Sequence, residues 1–137
     1  MSSRAGRSAA FSGARWSILS GAYDQGLISG SIEYAVEHLG PRLIVVLGHE
    51  CCGALTAALA GGSAPGHINS LVRDIQPAMA ASKGKEGDAL TNAIHENDAA
   101  VATRIRKQAQ LGELVPQVRI VEGHYDLDTG KVEWTAK

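Results

Sequence analysis

The sequence predicts an α/β fold, with a mostly parallel sheet flanked by helices and a C-terminal hairpin. Three observations carry that prediction. Leu43-Ile44-Val45-Val46-Leu47 is an unbroken apolar run, the pattern of a strand with helices over both faces. Segments of helical spacing stand before and after it, so helix, strand, loop and helix alternate along the chain. Val118 to Tyr125 then alternates as a strand, Asp128-Thr129-Gly130-Lys131 is a turn, and Val132-Glu133-Trp134 returns.

Each element follows in order. Residues 1–13 are rich in Ser, Gly and Ala, carry Arg4 and Arg7, and have no apolar segment of the secretory type. They read as a flexible terminus ahead of one domain over residues 14–137. Trp16 to Leu19 is a candidate short strand. Ile32, Ala35, Val36 and Leu39 repeat the i, i+3, i+4, i+7 spacing of a buried helix face. A serine at 29 or 31 would cap that helix, and Gly40-Pro41 would stop it. A helix over Ala54 to Ala60 runs up to Gly61-Gly62. Another, Ile68 to Ser82, has Ile68, Leu71, Val72, Ile75 and Met79 as its stripe. Asp88 is the expected N-cap of a long helix reaching about Gln110, with Leu90, Ile94, Val101 and Ile105 inward.

Composition limits the function classes. The chain has 137 residues, the length of one domain, with 45% hydrophobic and 20% charged residues. A net charge of −1 excludes strong electrostatic capture of nucleic acid or anionic membrane. No apolar stretch approaches the roughly 20 residues of a membrane span. The two cysteines are neighbours, Cys51 and Cys52, which gives no disulfide framework and fits a reducing, cytoplasmic setting.

The chemistry concentrates in Leu47-Gly48-His49-Glu50-Cys51-Cys52-Gly53. A strand ending in His-x-x-Cys-Gly sets an imidazole and a thiolate on one tight loop at the carboxyl end of a strand, where sites in open α/β sheets lie. A borderline-soft ion such as Zn²⁺ prefers these donors. Glu50 in the same loop is a candidate base. His67, His95 and His124 read as surface or helix-end residues, and His38 as solvated.

The segment SIEYAVEHLG followed by LIVVLGHECCGAL resembles the β-class carbonic anhydrases. The likeness continues through Leu71-Val72-Arg73-Asp74-Ile75-Gln76-Pro77 and through Glu96-Asn97, which is similar to the family's Glu-x-Asn-Val element. It ends in Gly123-His124-Tyr125-Asp126-Leu127-Asp128-Thr129-Gly130, similar to the family's closing hairpin. The resemblance implies a Zn²⁺ cofactor on His49 and Cys52, with Gly53 opening the turn on the substrate side. It implies a zinc lyase in which zinc-bound hydroxide attacks CO₂ or a CO₂-like molecule such as COS or CS₂. It also implies a homodimer or higher homo-oligomer.

One departure bears on all of this. The family carries a zinc cysteine in an upstream Cys-x-Asp-x-Arg motif, and this sequence has no cysteine before Cys51. The chain therefore reads as an N-terminally trimmed or divergent relative. The lost strand would leave an apolar gap and an open edge for the first segment or a partner chain to cover. Cys51, read first as a core-packing cysteine, is the nearest substitute thiolate, and Asp24 is a replacement carboxylate. Two rival functions follow: a non-catalytic binding or assembly module, and an enzyme without zinc that uses Cys51 or Cys52 as nucleophile.

Overall fold

A computed structural model describes residues 26–61, 65–107 and 118–136. The first helix, α1 (Leu27–Tyr34), begins five residues before its apolar stripe and continues as a π-helical turn, Ala35–Leu39. No side chain caps it. The expected serine cap is instead inside the helix, where the Ser31 hydroxyl donates to the Leu27 carbonyl (2.8 Å). Gly40 ends the turn with a left-handed φ of 62°, in agreement with the Gly40-Pro41 stop signal.

β1 (Leu43–His49) follows, then α2 (Gly53–Ala60), α3 (Ile68–Ser82) and α4 (Ala89–Arg106). Asp88 caps α4: its Oδ2 accepts from the Thr91 N–H and the Thr91 hydroxyl, both at 2.8 Å. β2 (Arg119–Tyr125) and β3 (Val132–Ala136) form the closing hairpin. Asp126 organises its turn, accepting from the N–H groups of Asp128 and Thr129 through Oδ1. The candidate strand Trp16–Leu19 and Asp24 lie outside the described residues.

Among the described residues the sheet order is β1-β2-β3. β1 and β2 are parallel, with Leu43 opposite Arg119 and His49 opposite Tyr125, while β3 runs antiparallel to β2. The parallel pair needs a long crossover, and α2, α3 and α4 occupy the connection.

α4 is the hub, because its two halves serve two cores. Val101, Ala102 and Ile105 pack with Ile44 and Val46 of β1, Ile120 of β2, and Ile32 and Val36 of the first helix. Ala93 and Ile94 pack with Cys52, Leu55 and Ala58 around the fully buried Ile75 of α3. Ile68, expected in the α3 stripe, is exposed at the helix start. Strand pleating sends alternate side chains of β1 to opposite faces. Ile44, Val46 and Gly48 are buried toward α4, whereas Val45, Leu47 and His49 are half-buried. The ends of β1 and β2 and the middle of α4 thereby meet around Gly48.

Candidate metal centre

The chain leaves β1 at His49 and turns through Glu50 and Cys51 into α2. Two hydrogen bonds brace this loop against the hairpin. The Glu50 N–H donates to the Tyr125 carbonyl (3.2 Å), and the Leu127 N–H donates to Glu50 Oε2 (3.1 Å). Glu50, read from sequence as a candidate base, thus already holds a backbone donor.

The turn is made at Cys51, which takes a left-handed φ of 53°, a conformation costing a residue with a Cβ roughly 1–2 kcal/mol. Cys51 is exposed, which corrects the expectation that it packs into the core. Gly53, expected to open the turn, is the first residue of α2 and has open space where a Cβ would stand.

His49 Nδ1 lies 2.8 Å from the Glu50 carbonyl. A carbonyl only accepts, so the neutral ring donates from Nδ1 and keeps its lone pair on Nε2. Fixing one ring nitrogen on a carbonyl is how proteins orient a metal-binding imidazole. Cys52 is buried at the N-cap of α2. Its carbonyl accepts from the Thr56 N–H and hydroxyl, both at 2.9 Å, and its thiol makes no capping bond. Both donors suit zinc, but two donors are not a complete set. Among the described residues, no third His, Cys, Asp or Glu joins them in a metal-binding cluster.

A second polar group lies on the α4 side of the same strand ends, and here the sequence reading is corrected. His95 and His124 are half-buried, not surface residues, and Asp98, which no sequence motif marks, is buried with 5% exposure. Asp98 lies directly over Gly48. A Cβ on Gly48 would overlap Asp98 Oδ2 and come within 2.7 Å of Ile94 Cγ2. The Gly48 backbone N–H faces the Asp98 carboxyl and pulls its pKa down slightly. Burial, with the Glu122 carboxylate on the next strand adding to it, pushes the Asp98 pKa up to about 8.

His95 is three residues before Asp98 and shares its helix face. His124 stands opposite Gly48 in the β1–β2 register, and its ring centroid is 5.1 Å from that of His95. Burial, the neighbouring His95 and, least, His49 lower the His124 pKa, against opposing effects of Glu50 and Glu133. The signal that could have exposed this group is positional. Asp98 falls on the Ile94/Val101/Ile105 stripe, where an aspartate must be buried.

Comparison with known proteins settles the family. A family model described as carbonic anhydrase matches residues 17–132. A Coccomyxa β-carbonic anhydrase in complex with acetazolamide superposes with a TM-score of 0.77 at 22% identity, covering 87% of this chain and 59% of that one. The chain belongs to the β-class carbonic anhydrase family. A tetrameric β-carbonic anhydrase from Sordaria macrospora shares the fold, with a TM-score of 0.74 at 19% identity over 85% of this chain and 64% of its own. Carbonic anhydrase 2 of Mycobacterium tuberculosis is 33% identical over 76% of this chain and 54% of its own length. A carbonic anhydrase of Mycolicibacterium smegmatis is 34% identical over 77% and 55%. This carbonic-anhydrase family member thus spans about half the length of the curated relatives it matches.

Proposed function

We propose that the chain interconverts CO₂ and bicarbonate as a zinc lyase, with His49 and Cys52 as metal ligands. The observation that supports this most is the His49 ring, tied through Nδ1 with Nε2 free, three residues before a buried, uncapped thiol. Zinc held there supplies the acidity that makes hydroxide available near neutral pH for attack on CO₂. The chain's own residues do the rest. The Glu50 contacts to Tyr125 and Leu127 hold the loop, the positive φ of Cys51 turns it, and the open space at Gly53 leaves room for a small substrate.

A third ligand comes from Asp24, from Cys51 or from a partner chain, and we place the working unit in a homodimer or larger homo-oligomer. Two free cysteines fit a reducing cytoplasm. Among the described residues, no helix is long and apolar enough to cross a membrane.

The test pairs zinc content with stopped-flow CO₂ hydration. Near-stoichiometric zinc and measurable hydration, both lost in His49→Ala and Cys52→Ser, are the expected results. Zinc without CO₂ hydration, but with turnover of COS or CS₂, would move the substrate within the same class. A metal-free chain with a rapidly alkylated thiol would favour the nucleophile reading. An inert, metal-free oligomer would favour the assembly module.

A further inference from the structure

We propose that His95, Asp98 and His124 form a second metal site, for a divalent first-row transition ion, on the α4 side of β1. Three observations carry it. The first is convergence: one ligand atom from each of the three residues lies within 4.8 Å of both others. A tetrahedral ion with bonds of about 2.0–2.1 Å holds its ligands about 3.4 Å apart. Closure by about 1.4 Å through side-chain rotation would bring these atoms to such an ion.

The second observation is that these groups lack partners. His95 Nδ1, His124 Nδ1 and Asp98 Oδ2 are buried with no hydrogen bond. A buried polar atom left unpaired costs roughly 1–3 kcal/mol, and three in one place are not expected of a group with a purely structural role. Two imidazoles and a carboxylate suit zinc, cobalt, nickel or ferrous ions.

The third is the cradle. Gly48 is the position in β1 at which a side chain would occupy the space taken by Asp98. Its backbone N–H faces the Asp98 carboxyl and favours its charged form. Glu122, two residues before His124 on β2, is held by Arg106 at 3.2 Å. That ion pair engages the carboxylate that acts on Asp98.

His49 stands on the opposite pleat of β1 from Gly48, but it lies near enough to lower the His124 pKa, and Cys52 packs with Ala93 and Ile94, so the two sites are neighbours. The two are separable by experiment. The full chain is stripped with chelator and dialysed against Co²⁺, with the loop silenced by His49→Ala/Cys52→Ser. Expected is one Co²⁺ per chain, with a visible spectrum lacking thiolate-to-cobalt charge transfer. Adding either His95→Gln or Asp98→Asn should remove that ion while far-ultraviolet circular dichroism is unchanged. With the loop left intact, His95→Gln should lower the Co²⁺ count by one, a readout that stands even if the loop-silenced chain does not fold. The proposal is overturned if the folded loop-silenced chain binds no Co²⁺, as when the three groups merely share a proton. It is equally overturned if the ion survives both substitutions, or if His95→Gln leaves the count in the loop-intact chain unchanged. Failure of the loop zinc would appear separately, as absence of the charge-transfer band.

Discussion

Asp98→Asn is the substitution whose effect on stability the structure specifies most fully. In the unfolded chain the carboxyl titrates near 3.8, and in the folded chain near 8. Between those values the native state binds a proton that the unfolded state has released. Stability is therefore fully present below pH ~4 and falls as pH rises toward 8, by at most about 1.4 kcal/mol per pH unit. Integrated from pH 5 to pH 8, one such group removes about 3–4 kcal/mol, a large share of the 5–15 kcal/mol typical of a domain. The amide of the variant cannot ionise, so the variant lacks this dependence. Urea unfolding in EDTA at pH 5, 6, 7 and 8 measures the difference. The variant should gain on the parent at each step and be clearly the more stable at pH 8. Parallel pH profiles for the two proteins would refute the reasoning, since Asp98 would then be ionised at no cost.

Three further outcomes follow from the same geometry. Gly48→Ala should destabilise by on the order of 2–3 kcal/mol, the cost of overpacking, because its Cβ meets Asp98 and Ile94. Adding Asp98→Ala should recover part of that loss in a double-mutant cycle by denaturant unfolding. Asp88→Ala should cost about 1 kcal/mol in the same assay, because the start of α4 loses the two bonds from Thr91. Glu50→Gln keeps an oxygen for the Leu127 N–H, so fold and CO₂ hydration should persist together. A large fall in kcat with unchanged stability would instead make Glu50 a base.

Much of the fold is legible in local pattern. The apolar run of β1, the Asp88 cap and the Asp126 turn each depend on residues close in sequence, and each stands where the pattern places it. The start of α1 is not legible in this way. Ser29 and Ser31 look like caps, but the helix extends past them and Ser31 bonds back to Leu27. That His49 and Cys52 share one loop is likewise visible in their spacing. The Asp98 group is not, because it is assembled from α4, β1 and β2, joining positions as distant in sequence as Gly48 and His124. Histidines that look exposed one at a time become half-buried only when the parallel register sets His124 beside Gly48 and beneath α4. Cys51 escapes the sequence reading for a related reason. Sequence shows a small apolar residue, whereas the turn after β1 demands a left-handed residue there and turns its side chain outward.

X-ray absorption at the zinc edge, taken on the zinc-loaded His95→Gln chain so that only the loop is filled, tests the central claim most directly. Sulfur scattering at about 2.3 Å together with nitrogen or oxygen neighbours near 2.0–2.1 Å is predicted, with one sulfur lost in Cys52→Ser. A zinc shell with no sulfur, or one that Cys52→Ser leaves intact, would contradict it.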